Sequence, residues 1–271
     1  MKIKNIDLSK ITITNPRKLD YGGSMAFLNY DGHMGPFHIQ TPEVEITFDA
    51  SFFSDDDKNG KWGVRASFND LDNKKQKEFH DFLSNMDSFL KEKAFENSVQ
   101  WFKGKKSKDA IDSLYTPMLK IHMDPETGEP SGKFSNSFSF KIHKKNNKIE
   151  CDMYDKNKFT FDINHETENP VNIENLIVKG SRVQVLLKCN GVWFANGKFG
   201  CTWKAEQICT QVPENRINEF AIITDSDDEI DTDDNQNILN NSSDDEEEEV
   251  QPEPPKEPKK KTRKVKVKTT K

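Results

Sequence analysis

Arg182-Val183-Gln184-Val185-Leu186-Leu187-Lys188-Cys189-Asn190-Gly191-Val192-Trp193-Phe194-Ala195-Asn196-Gly197-Lys198-Phe199-Gly200-Cys201-Thr202-Trp203-Lys204 is the stretch whose pattern decides the fold. Val183, Val185 and Leu187 alternate with Arg182, Gln184, Leu186 and Lys188, the period of two that marks a strand with one buried face. Asn190-Gly191 reads as a hairpin turn, since a tight primed turn needs residues that accept positive φ, and Asn196-Gly197 breaks the strand that follows. Phe199, Cys201 and Trp203 then share one face. That makes Trp203 a core residue and points Arg182, Lys188 and Lys204 outward, where they can line a groove.

Working outward, the same period recurs. Residues 24–31 and 43–53 read as strands, the second with Val44, Ile46, Phe48, Ala50 and Phe52 on one face and Glu45, Thr47 and Asp49 on the other. A turn at 55–60 leads to Trp62, Val64, Ala66 and Phe68 alternating with Gly63, Arg65 and Ser67, a hairpin pattern. The period then changes to about 3.6: Phe79, Phe82, Leu83, Met86, Phe89, Leu90 and Ala94 form one face of a helix over 72–98, with Asp70 or Asp72 as its cap. Further strands are expected at 115–123, 134–143, 149–154 and 158–163. Strands interrupted by one amphipathic helix suit a small barrel better than a sandwich, and the OB-fold is the leading all-β architecture.

Charge is sorted along the chain. Of 271 residues, 40 are Lys or Arg and 46 Asp or Glu, yet residues 225–253 carry fourteen carboxylates and no base, and 256–271 hold nine bases against one acid. Residues 1–224 are left with 31 of each sign. An acidic block so poor in apolar residues cannot bury a core, so 225–255 and the basic arm 256–271 are expected to be disordered behind a single domain at 1–224. Any polyanion must meet a local basic groove on a neutral body. The N-terminus shows no signal-peptide run and no stretch is long and apolar enough for a membrane span, so an intracellular protein without a membrane partner is expected.

Enzymatic signatures are missing: there is no GxxxxGK[ST], GxSxG, HExxH, or HxE with a later CxxC. The six histidines are scattered singly, and Cys151, Cys189, Cys201 and Cys209 lack zinc spacing, so neither metal nor cofactor is expected. Buried free thiols are the better reading, with Cys189 and Cys201 placed to face each other across a hairpin. Glu150, Asp152 and Asp162 do not form the clustered pattern of a metal-dependent nuclease.

Aromatic and cationic residues are interleaved instead, the pairing that holds unpaired nucleic acid by stacking its bases and neutralising its phosphates. Trp62 stands beside Lys61 and Arg65. Trp101-Phe102 runs into Lys103-Gly104-Lys105-Lys106-Ser107-Lys108, the most suggestive segment because glycine and lysine make a cationic loop beside two rings. Trp193-Phe194 is followed by Lys198, and Trp203 by Lys204. The candidate nucleic-acid residues are thus Trp62, Arg65, Trp101, Phe102, Lys103, Lys105, Lys106, Lys108, Arg182, Lys188, Phe194, Lys198 and Lys204. The competing class is an acidic-tailed chaperone of the histone or nucleoplasmin type, which would ignore oligo-dT and bind basic proteins.

Residues 180–208, with Gly60-Lys61-Trp62-Gly63-Val64-Arg65-Ala66-Ser67-Phe68 and Tyr115-Thr116-Pro117-Met118-Leu119-Lys120, resemble a family encoded by large nucleocytoplasmic DNA viruses. That family in turn looks like the replicative single-stranded DNA-binding proteins of T-odd coliphages. The resemblance spans most of residues 20–212. It implies an OB-fold barrel coating single-stranded DNA during viral replication, recombination or repair, and an acidic tail that contacts a viral DNA polymerase or helicase-primase. Asp244, Asp245, Glu246, Glu247, Glu248 and Glu249 are the expected partner-binding acids of that tail, which also competes with DNA for the body. A homodimer stays open. One departure is plain: Lys259 to Lys271 follow the acids here, whereas the phage tail ends in acids and an aromatic. The segment Lys259-Lys260-Lys261-Thr262-Arg263-Lys264-Val265-Lys266 resembles a nuclear localisation signal and equally suits duplex DNA or the chain's own acids, so either a cytoplasmic factory or the host nucleus is expected.

Overall fold

The computed structural model describes residues 2–20, 22–33 and 35–213; the acidic block, the basic arm and the domain boundary expected at 224 lie outside the described residues. Five strands close a ring. β1 (Val44–Ile46) pairs antiparallel with β2 (Gly60–Ser67), and β2 with β3 (Ser137–Lys145). β3 meets β5 (Lys198–Gln211) in parallel, β5 pairs antiparallel with β4 (Arg182–Ala195), and β4 returns to β1. Closure gives each strand a bonded neighbour on both sides, through a single residue pair where β3 meets β5 and two where β4 meets β1.

The alternation read from the sequence is what fills the barrel. Ile46, Val64, Phe140, Val185, Leu187 and Trp203 are buried, and the β2–β3 register sets Trp62, Val64 and Ala66 opposite Ile142, Phe140 and Phe138. The helix α1 (Lys74–Glu96) lays Phe79 against Phe68 and Phe138, with ring centroids 5.6 and 4.9 Å apart. Its cap is Asn73, whose side chain accepts from Lys75 N, rather than Asp70 or Asp72; Asp70 instead accepts from Asn73 N. Asn73 wins because it is the last residue with an extended backbone before the first helical turn.

Two expectations are corrected. The β4–β5 turn is Asn196-Gly197, with φ of 50° and 74°, and not Asn190-Gly191. Asn190-Gly191 forms a bulge inside β4, where Gly191 has φ 117° and a Cβ would lie 2.5 Å from the Ala26 carbonyl oxygen. Both dipeptides supply positive φ, and the register decides which one turns the chain. Second, 43–53 is not one strand. After Ile46 the chain bends toward residues 177–181: Ala50 N donates to Ile177 O, and Asp49 accepts from Lys179 N. Pairing resumes only at Ser51–Ser54, and Phe48, expected on the buried face, is 57% exposed.

The segment expected as a strand over 115–123 pairs with β5 only at Tyr115–Thr116. Beyond that it is held by Asp87 of α1, a buried carboxylate that accepts from Tyr115 Oη at 2.6 Å, Met118 N at 2.9 Å and Leu119 N at 3.2 Å. Burial pushes the Asp87 pKa upward against those three donors. Two helices preceding it, α2 (Ser98–Phe102) and α3 (Lys108–Leu114), were not legible in the sequence.

Candidate nucleic-acid interface

The residues that alternate out of β2 and β3 build one continuous surface. Lys61 stands opposite His143, Gly63 opposite Lys141 and Arg65 opposite Ser139. The neighbouring strand Ser51–Ser54 sets Phe53 across from Lys61, and the Phe53 ring lies over Gly63, where a Cβ would be 3.2 Å from the ring. Glycine at 63 is therefore what lets the ring lie down on the sheet. Phe53 remains 56% exposed.

Phe48, turned out by the bend after Ile46, takes the other end. The Arg65 guanidinium sits 5.9 Å from its ring centroid, which holds the cation over an aromatic face. Lys120, bridged to Ser137 at the start of β3, comes close enough to Arg65 to feel its charge. Among the described residues no carboxylate forms an ion pair with Arg65, Lys120 or Lys141. Burial lowers the Lys141 pKa, with Lys61 adding to the effect, and burial lowers that of Lys120 while Asp87 opposes it. His143 Nε2 is buried with no hydrogen-bond partner, and burial together with Lys204 and Lys141 holds its pKa below the ordinary imidazole value.

The surface continues onto the β4–β5 hairpin. Lys204 neighbours Lys141 and pairs with Glu150 at 2.7 Å; Lys188, opposite Lys204, pairs with Glu206 at 3.4 Å. Glu206 also meets His38 at 2.6 Å. Lys61 pairs with Asp55 at 2.7 Å. The Lys61–Asp55 pair, the most open of these, is of the surface kind that contributes about 0–1 kcal/mol, so a phosphate can replace its carboxylate at little cost. Farther along the same side, Trp193 is half-buried over Gly200, whose Cβ position is 3.1 Å from the indole.

The remaining candidates divide. Trp62 is turned into the barrel, 5% exposed, under Phe52 and with Nε1 donating to Glu174 at 2.9 Å. Trp101 is also buried, edge-on to Phe194 at 5.4 Å, and Phe102 packs edge-on to Phe194 and Phe199. Phe194 stacks on Phe199, on the inner side of the hairpin opposite Trp193. Trp62 and Trp101 present no open ring, because strand parity and helix packing point both into the core, and Phe194 is half-buried against Phe199. Lys103, in left-handed backbone, and Lys105 are exposed, Lys106 is half-buried, and Lys108 lies 5.5 Å from the Phe95 ring. Lys198 flanks the hairpin turn. Arg182 is exposed near Glu43, six residues along β4 from Lys188 and so roughly 20 Å away.

Sequence reasoning missed Phe48, Phe53, Lys120 and Lys141, and noted Lys61 and Trp193 only as neighbours of Trp62 and Phe194. The signal for Phe53 was present in part: it falls on the face opposite to Val44 and Ile46, and Gly63, two residues along β2 from its partner Lys61, leaves room for a ring. Carboxylates suggested for metal chemistry are engaged here, Glu150 with Lys204, and Asp162 as acceptor for the backbone of Glu166 and Thr167. The thiols of Cys189 and Cys201 face each other at 3.4 Å, both buried and unbonded, and the contact with Cys189 together with burial raises the Cys201 pKa.

In the solved structures this chain is similar to bacteriophage single-stranded DNA-binding proteins. With the single-stranded DNA-binding protein from bacteriophage Enc34 it shares 11% identity at a TM-score of 0.38, over 78% of this chain and 96% of that one. For the Enc34 protein in complex with ssDNA the values are 12%, 0.40, 76% and 99%. For gp2.5, a single-stranded DNA-binding protein encoded by bacteriophage T7, they are 12%, 0.38, 70% and 100%. No family model matches the sequence, and no curated protein does.

Proposed function

We propose that this chain is a non-catalytic single-stranded DNA-binding protein of viral DNA replication, recombination or repair, built on an OB-fold barrel. The observation that carries the reading is the outer face of β2 and β3: two exposed phenylalanine rings, Phe48 and Phe53, set among Arg65, Lys120 and Lys141, which have no ion-pair partner among the described residues. Bases stack on the two rings, each contact worth roughly 1–3 kcal/mol. Phosphates meet Arg65, Lys141, Lys61, Lys204 and Lys188. A duplex hides the faces of its bases, so the rings favour unpaired strands.

The acidic block 225–255 competes with the strand for this face and, when displaced, recruits replication enzymes. The fourteen carboxylates of residues 225–253 carry the same sign as the phosphates they would displace, which is the basis of that competition. The protein acts where viral DNA is copied, in a cytoplasmic factory or the host nucleus.

The test is a titration of the full chain with oligo-dT, the corresponding duplex and RNA at several salt concentrations. Preference for oligo-dT over duplex is expected, with log affinity falling against log salt by about 0.7 per phosphate contacted. Equal affinity for duplex and single strand sinks the reading.

A further inference from the structure

Residues 121–135 leave the barrel at the Arg65 end of this surface and return as a hairpin. Lys120 and Ser137 exchange two backbone hydrogen bonds, of 2.7 and 2.9 Å, at its base. Ser131 N donates to His122 O, Asp124 N to Glu129 O, and Asp124 Oδ1 accepts from Glu126 N and Thr127 N at the tip. The hairpin is thus bonded across at its base and again from His122 to its tip, and its side chains are open: Ile121 is 45%, Met123 47% and Phe134 65% exposed.

Phe134 is not an isolated ring. It meets His122 at a centroid distance of 4.8 Å, and His122 Nδ1 is tied to Ser131 Oγ at 2.6 Å, so the pair has a fixed support. His122 follows Lys120 by two residues, and the base of the hairpin adjoins Arg65, because Ser137 pairs with Ser67 and Ser139 with Arg65. In order away from the barrel the groups are Phe53, Phe48 with Arg65, Lys120, and then His122 with Phe134. Beyond them the charge reverses at Asp124, Glu126 and Glu129, which closes the path to a polyanion at the tip.

We propose that the 121–135 hairpin is an outlying part of the DNA site, with Phe134 stacking a further base and Lys120 holding the phosphate between it and Phe48. The inference rests on the proposed function and extends it: the site is longer than the barrel face, and its far end is set by an arm that the core does not bury.

The experiment uses the full chain and a ladder of dT oligonucleotides. Phe134→Ala is expected to weaken binding to long strands by at least about fivefold, the lower bound for one stacked base, and to leave strands that cover only Phe48 and Phe53 unaffected. Phe134→Trp supplies an independent reading, because a ring there is open to solvent: its emission is expected to be quenched by long dT and not by the shortest strands. Unchanged long-strand affinity in Phe134→Ala, or no quenching in Phe134→Trp, overturns the hairpin's role while Arg65→Ala still weakens every strand. If Arg65→Ala binds all lengths as the unaltered chain does, the failure belongs to the proposed function itself.

Discussion

The outer face of β2–β3 and the Trp101–Lys108 segment are made of the same residue types, and they do opposite things. In the segment, lysines follow two rings in the chain, but the rings close the core against Phe194 and Phe199. On the barrel face no ring is adjacent in sequence to the cation it serves: Phe48 meets Arg65 and Phe53 meets Gly63 and Lys61 only across strands. A stacking surface is a property of which side of a sheet a ring leaves, and adjacency in the chain says little about that. Cross-strand pairs on one face are the unit of contact in a sheet.

The sharpest way to break this contrast is Trp101→Ala. Removing a buried indole typically costs about 3–5 kcal/mol, which for a domain of this size lowers Tm by roughly 6–20 °C. Thermal unfolding followed by circular dichroism should show that loss, while oligo-dT affinity measured well below Tm stays within about twofold. A stable Trp101→Ala protein that has lost its DNA affinity would move the binding site to the segment.

Phe53→Ala and Arg65→Ala should invert that outcome. Each removes an exposed group, so stability should change by no more than about 0.5 kcal/mol, the usual range for surface substitutions. Affinity for oligo-dT should fall by about 1–3 kcal/mol for the lost stack in Phe53→Ala, read by fluorescence anisotropy. Gly63→Ala sharpens the same point by a smaller step. Its Cβ meets the Phe53 ring at 3.2 Å, so the ring must lift by a few tenths of an ångström, and a loss smaller than that of Phe53→Ala is expected.

The barrel was legible in the sequence and the site only in part, for one physical reason. Burial repeats with the period of the element, so Val183, Val185 and Leu187, or the Phe79-to-Ala94 face of α1, declare themselves locally. Register does not. The two Asn-Gly dipeptides are locally equivalent, and only the partner strand makes Asn196-Gly197 the turn and Asn190-Gly191 a bulge. That bulge decides that Trp193 faces out and Phe194 in, which the adjacent pair Trp193-Phe194 does not show by itself. Phe48 was assigned to the core because the bend after Ile46 depends on backbone partners at 177–181, far away in the chain. Arg65, Lys188 and Lys204, by contrast, follow from alternation alone, and all three sit on the surface described here.

Lys141 gives the finest test, because it separates charge from position on that surface. Lys141→Ala should reduce the salt slope of oligo-dT binding by about 0.7, one phosphate, whereas Lys103→Ala with Lys105→Ala should leave the slope alone. Lys141→Arg should keep the slope and change only the response to alkali. The Lys141 pKa lies below the ordinary lysine value of 10.5, chiefly through burial and then through Lys61. Only the protonated amine attracts a phosphate, and a bound phosphate raises that pKa again, so binding takes up a proton once the free protein begins to lose it. Affinity should therefore fall as pH rises toward the ordinary lysine range, earlier than an unperturbed lysine would dictate. A guanidinium stays charged throughout that range. Titrations of both proteins at matched ionic strength should run parallel at neutral pH and diverge only on the alkaline side, with Lys141→Arg the tighter. Curves that stay superimposed would mean that Lys141 does not touch the strand.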